Sequence, residues 1–246
     1  MDNRGDYPSV GDETVIRPHE NLGWAAGTNR GTAETLTSHH AAAVWMNNDT
    51  RLARGFMGGL VRCWRESGAG LIAPSYDCYW NHQRVPRVVE VSQYQPRRRH
   101  FSVPFVDGTC MFVPTSTLDA VGMLDEATFA PVGYGADIDY GLRVRARGMS
   151  VVVTRLAYLH HEKFATAKEV FAGGLEEYGA RGYPVMETGM TAKWGAEWRH
   201  LAGIDPATGQ TKRPTLKDWA VAATASVSRR LSASRRHSSL WRRWAQ

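Results

Sequence analysis

Ala42-Ala43-Val44-Trp45-Met46-Asn47-Asn48-Asp49-Thr50 is an apolar run that gives way, within one residue, to two amides, a carboxylate and a hydroxyl. Five apolar residues that stop at turn formers read as a buried strand. Such runs alternate along the chain with segments of helical spacing, which indicates an α/β sheet, and open α/β sheets place their ligands beyond the carboxyl ends of their strands. Asn47 to Asp49 is therefore the first candidate site. Alternate strand residues share a side, so Asn47 and Asp49 can face one ligand while Asn48 turns away. An amide oxygen and a carboxylate suit Mg2+ or Mn2+, cations that keep waters and also bind substrate phosphates. The competing reading is an ordinary Asn-Asp turn.

Working outward, apolar runs predict further strands at 71–74, 105–113 and 150–153. Helical spacing predicts helices at 28–38, 52–66, 116–121, 138–147, 167–178 and 192–201, with Gly148 placed to stop the fourth. Segments 75–100 and 126–136 read as long loops, because they mix Pro, Gly and polar residues without a period. The first carries Arg97, Arg98 and Arg99, which fit either a phosphate or a solvated face.

The chain has 246 residues, enough for one substantial core and an appendage. No apolar run approaches the roughly 20 residues that span a bilayer, and the first residues lack the basic start and apolar stretch of a signal peptide. Cys63, Cys78 and Cys110 form no CxxC pair, which argues against a disulfide framework or structural zinc. A cytoplasmic protein, soluble or peripheral on the inner face of a membrane, is expected. The net charge of +6 is uneven: from Lys212 onward nine Lys or Arg stand against one acid, which leaves about −2 on the preceding 211 residues.

Three more segments offer chemistry. Residues 20–31 form a small-residue turn leading into a helix, a shape that brings backbone N–H groups near an anion, although it matches neither the dinucleotide fingerprint nor the P-loop. Gly133-Tyr134-Gly135-Ala136-Asp137-Ile138-Asp139 places two acids at a helix start, where a carboxylate can act as a general base or simply as a cap. His160 and His161 follow the last strand, and adjacent strand residues point to opposite faces, so at most one should be a ligand.

In this order the segments resemble the family 2 glycosyltransferases of the GT-A fold, in particular bacterial rhamnosyl- and galactofuranosyl-type transferases. The likeness runs through Asp2-Asn3, Asn21 to Gly23, Asn29 to Gly31, Asn47 to Thr50, Val106-Asp107-Gly108, Gly135 to Asp139, and His160. It implies a Rossmann-like α/β fold, a mixed central sheet with flanking helices, over residues 1–205. The family pattern begins with a strand and helix before its Asp-Asn, so an N-terminally truncated version is expected. The resemblance also implies that Asp49, with Asn47 and His160, holds Mn2+ or Mg2+ on the donor diphosphate. Asp2, Asn21, Gly23, Asn29, Asn47 and Asn48 then contact a UDP- or dTDP-sugar, while Asp107, Gly108 and Asp139 meet the acceptor. Asp137 resembles the base that deprotonates the acceptor hydroxyl, in an inverting displacement. Family members usually carry an acid before that base, and Ala136 stands there.

Trp194, Trp198 and Tyr134 can serve as sugar platforms or as core. Residues 206–246 are expected to form a basic tail. Thr215-Leu216-Lys217-Asp218 resembles a capping box, and Leu216, Trp219, Ala220, Ala223, Val227 and Leu231 recur with helical spacing. The paired arginines after it, with Leu240, Trp241 and Trp244, fit an amphipathic helix on an anionic membrane, which a lipid-linked or cell-envelope glycan acceptor would make useful. Packing on the body is the alternative, as is a non-catalytic membrane adaptor built on a transferase shell. No nucleic acid is expected, since no recognised reading module is present.

Overall fold

A computed structural model describes residues 1–3, 5–37, 40–162 and 172–215. Five strands lie side by side in the order β1 (Ala42–Met46), β5 (Cys110–Pro114), β3 (Leu71–Tyr76), β6 (Val151–His161) and β2 (Thr50–Leu52). A short β4 (His100–Ser102) pairs with the first half of β6. β3 and β6 run parallel and the other pairs are antiparallel, so the sheet is mixed.

The side-chain period of 2 sorts this sheet into two cores. Leu71, Ala73, Met111, Val113, Val151 and Val153 enter one, and Ile72, Cys110, Phe112 and Val152 enter the other. The first is closed by α1 (Gly23–Thr37), α3 (Thr115–Val121), α5 (Ala136–Ala146) and α6 (Gly174–Trp194), through Ala25, Leu118, Ile138 and Met190 among others. Phe56, Leu60 and Cys63 of α2 (Phe56–Ser67) close the second. Burial on both faces explains why β3, β5 and β6 read as apolar runs, whereas the outer strand β1 buries Ala43 and Trp45 and leaves Met46 exposed; each large aliphatic side chain fully buried contributes about 1.5–3 kcal/mol. The architecture is the mixed α/β one expected, a central mixed sheet flanked by helices.

Several boundaries differ from the sequence reading. The helix expected from 52 starts at Phe56, because Thr50–Leu52 pairs with the end of β6 and Gly55, at φ 75°, turns the chain before the helix begins. The strand expected over 105–113 is confined to Cys110–Pro114: the Asp107 carboxylate accepts the N–H and hydroxyl of Thr109 and holds the preceding residues in a turn. β6 continues to His161 rather than ending at 153, past a register shift opposite Pro74 and Ser75 in which Arg155, Leu156 and Ala157 lack partners on β3. The loop over 126–136 contains α4 (Glu126–Phe129). The helix expected over 192–201 is split by Gly195 into the end of α6 and a short α7 (Trp198–Leu201).

A small hairpin, β7 (Ile204–Asp205) with β8 (Gln210–Thr211), straddles the expected boundary at residue 205 and folds back on the loop after β3, where Thr211 Oγ1 accepts the His82 N–H at 3.1 Å. No described helix is long and apolar enough to cross a membrane. The expected amphipathic helix from Leu216 onward, and the first part of the helix expected over 167–178, lie outside the described residues.

Candidate active site

The ends of β1, β3 and β6, the turn entering β5 and the first turn of α5 meet at one edge of the sheet. β5 runs antiparallel to β3, so its entry lies where the parallel pair ends. Asn47 donates its backbone N–H to the Thr109 carbonyl at 3.0 Å and its own carbonyl accepts the Thr50 hydroxyl at 2.9 Å, which fixes the polar loop after β1. Asn48 is exposed. Asp49 Oδ1 stands 3.1 Å from His161 Nε2.

His161, and not His160, is thus the imidazole that meets Asp49. The pairing of β2 with β6 sets this, since Thr50 lies opposite His161 and Asp49 is the next residue. His160 turns to the other side, with Nδ1 2.6 Å from Asp77 Oδ2, while Asp77 Oδ1 accepts the His161 N–H at 3.1 Å. Burial works against protonation of His161. Its hydrogen bonds to Asp49 and Cys78, and their charges, overcome that and lift its pKa to about 10.

Asp107 occupies the middle of the edge. Oδ1 accepts the Thr109 N–H at 2.8 Å and the Thr109 hydroxyl, Oδ2 accepts the Tyr76 hydroxyl at 3.3 Å, and the Asp107 N–H is held by Gln83 Oε1 at 3.0 Å. Gly108 donates its N–H to Asp137 Oδ2 at 3.0 Å, and Asp137 Oδ1 accepts the Ile138 N–H at 2.9 Å. A Cβ on Gly108 would come within 2.6 Å of the Trp24 ring, so the close packing of α1 on this turn requires glycine. Burial, and then the neighbouring Asp107 charge, push the Asp137 pKa up to about 7 against the lowering effect of the two N–H bonds. A carboxylate so poised can take a proton near neutral pH.

Other residues singled out in the sequence are engaged elsewhere. Asp139 is fully buried and faces away from Asp137, as two positions along a helix dictate; it binds Arg143 Nε at 2.8 Å, Trp194 Nε1 at 2.9 Å and Lys193 Nζ at 3.1 Å. Asp2 accepts the N–H groups of Gly5 and Tyr7 and pairs with Arg17 at 3.3 Å. Asn21 accepts the Gly23 N–H at 2.9 Å, and Gly23, at φ 73°, lies so close to the Pro131 carbonyl that a Cβ would stand 2.4 Å from its oxygen. Asn29 spends its amide on Leu124 and Glu126, tying α1 to the start of α4. Trp198 is buried, whereas Tyr134 packs against Tyr178 and Tyr183 with ring centroids 4.9 and 5.2 Å apart. Arg97 to Arg99 are exposed, and Arg98 pairs with Glu66 at 3.1 Å.

Sequence reasoning passed over Thr109, Tyr76, Asp77 and Cys78. The two residues after Tyr76 lie at the end of a parallel strand, the position that marked Asp49, and that signal could have found Asp77 and Cys78 had the strand been extended past Pro74. Thr109 carries no such signal.

No family model matches the chain. Uncharacterized protein Rv1525 of Mycobacterium tuberculosis is 35% identical over 196 residues, which cover 80% of this chain and 75% of that protein. Uncharacterized protein Mb1552 of Mycobacterium bovis matches to the same extent. The chain belongs to their family. Among solved structures, GalNAc-T7 with UDP, GalNAc and Mn2+ is similar over 60% of this chain, with a TM-score of 0.45 and 12% identity; the chain spans about a third, 32%, of that one.

The donor set at Asp49 and His161 bears on a divalent cation. Among the described residues no group of three or more His, Cys, Asp or Glu is placed to hold a metal ion. One carboxylate and one imidazole nevertheless suit a cation that takes its remaining ligands from waters and from a bound diphosphate, as Mn2+ and Mg2+ commonly do. The residues therefore fit a substrate-completed site better than an all-protein cage.

Proposed function

We propose that this protein is a glycosyltransferase of the family 2 kind, which moves a sugar from a nucleoside diphosphate to an acceptor hydroxyl with inversion. The observation that carries the reading is Asp137, a carboxylate with a near-neutral pKa, joined through the Asp107 to Thr109 turn to the Asp49 and His161 pair. Base and diphosphate-holding groups on one sheet edge are what a direct displacement needs. Asp137 accepts the proton of the attacking hydroxyl as the bond to the anomeric carbon forms and the bond to the diphosphate breaks. Asp49 and His161 would hold Mn2+ or Mg2+, which supplies charge stabilisation to the departing diphosphate. Asn47 and Asn48 border the donor, and Asp107 and Gly108 shape the acceptor side.

Tyr134 and Tyr178 add ring surface beside the carboxylates: the charges of Asp137, Asp107 and Asp49 help burial raise the Tyr178 pKa to about 12. Ring faces of this kind suit the apolar faces of a sugar. A UDP- or dTDP-sugar donor and a glycan or lipid-linked acceptor are the substrates proposed.

The test is turnover of nucleotide sugars with Mn2+ by wild type and Asp137→Asn. The variant is expected to lose turnover and keep nucleoside diphosphate binding; undiminished turnover would remove Asp137 as the base. Absence of any nucleoside diphosphate binding by the wild type would favour the adaptor reading instead.

A further inference from the structure

Two contacts of the Thr109 hydroxyl constrain each other. Its oxygen lies on Asp107 Oδ1 on one side and 3.4 Å from His161 Nδ1 on the other. A hydroxyl has a single hydrogen to give. Asp107 is placed as an acceptor throughout: it takes the Thr109 N–H, and it takes the hydroxyl of Tyr76, whose own oxygen is occupied by the Trp80 N–H at 2.6 Å. A carboxylate that collects donors in this way has no hydrogen to offer, so the Thr109 hydrogen points to Asp107. The bond between Thr109 and His161 must then run the other way, from Nδ1–H to the hydroxyl oxygen.

We propose that Thr109 is a positioning residue that holds a hydrogen on His161 Nδ1, so that Nε2, which faces Asp49 Oδ1, is the nitrogen a divalent cation would meet. The relay is continuous: Trp80 N–H to Tyr76, Tyr76 to Asp107, Thr109 to Asp107, His161 to Thr109, with Nε2 directed at Asp49. Tyr76 is fully buried, which keeps water from competing for the acceptor that orders the chain. Thr109 also accepts the Asn47 N–H on its carbonyl, so one residue sets both the loop that carries Asp49 and the ring that faces it. Imidazole ligands of metals generally give their second N–H to a partner that fixes ring and tautomer, and removing such a partner costs about 10–100-fold in metal affinity.

The inference rests on the reading of Asp49 and His161 as the cation's protein ligands, and two measurements separate its failure from the failure of that reading. The first needs no metal. In Asp49→Asn/Cys78→Ala the amide can accept from Nε2–H or donate to bare Nε2, and the thiol that also bonds His161 is gone, so the Thr109 end decides the tautomer. Long-range 1H–15N correlation of the imidazoles at pH 8 is expected to find His161 with its hydrogen on Nδ1; a hydrogen on Nε2 overturns the proposal whether or not metal binds. The second is Mn2+ titration followed by electron paramagnetic resonance, with UDP present. Thr109→Val is expected to weaken Mn2+ binding by about 10-fold or more, and Thr109→Ser, which keeps the hydroxyl, to restore it to within a few-fold of wild type. Equal Mn2+ affinity in wild type and Thr109→Val also overturns the proposal. A wild type that binds no Mn2+ overturns the metal reading, and the tautomer measurement still decides the role of Thr109.

Discussion

Asp137 carries the chemistry proposed for this fold, and its environment makes two pH predictions of opposite sense. As a base it must be ionised, so kcat/KM is expected to rise with pH through about 7 and to level off above it. Replacing Asp107 by Asn removes the neighbouring charge that helps raise this pKa, and the acid limb should move to lower pH by about one unit; an unmoved limb would mean that burial alone sets it. Stability runs the other way. The folded pKa of about 7 exceeds the usual 3.8, so the folded chain holds this proton more tightly than the unfolded chain, and stability falls as pH climbs from about 4 through 7. Asp137→Asn should therefore unfold at higher temperature than wild type at pH 8, by about 1–2 kcal/mol once the effect is shared across the two carboxylates, and match it near pH 4. Thermal melts at the two pH values check this. At this scale the sequence was legible where a polar residue ended an apolar run or opened a helix, which marked Asp49 and Asp137. The choice between His160 and His161 was not legible, because it depends on which residue of β6 faces Thr50, a register fixed by a partner more than a hundred positions away. Asp139 looked equal to Asp137 in the sequence, but its carboxylate belongs to Arg143, one turn along α5, and to Lys193 and Trp194, which the packing of α6 brings to it.

Elements were legible where burial imposed a pattern. β1 and the helices α2, α3 and α5 follow from apolar runs or periodicity ended by stop signals, which sequence alone can mark. The short edge strands β2 and β4 were not, because their pairing with β6 and not their own composition makes them strands. Turns built by one side chain escaped as well: nothing periodic announces that Asp107 will hold Thr109 out of β5. Gly59 offers a test of element packing in which two effects compete. Alanine there gains about 1 kcal/mol of helix propensity in α2. Its Cβ would, however, stand 2.5 Å from the Leu156 carbonyl oxygen and 2.7 Å from its carbon on β6, and backbone cannot step aside as a side chain can. Gly59→Ala is therefore expected to destabilise the protein by about 1–3 kcal/mol, the usual cost of overpacking, as read from urea unfolding. A more stable variant would mean that α2 can lift from the sheet.

For the whole molecule, charge is the property that one experiment can divide. The body carries a small negative balance and the segment from Lys212 a strongly positive one. Truncation after Thr215 keeps the β7–β8 hairpin and its bond to His82, and is expected to abolish binding to vesicles of anionic lipid while leaving nucleoside diphosphate binding intact. Vesicle binding that survives truncation would assign it to the body. The site edge has a different kind of reach. Asp49 lies 112 positions before His161, and β6 pairs with β2, β3 and β4. During synthesis, at about 5–20 residues per second, the ribosome thus releases the aspartate several seconds before the histidine that completes the pair. A growing chain has no site to occupy until its central strand has emerged and been inserted, so a ligand that requires both residues can reward only a chain that has finished this part of its fold.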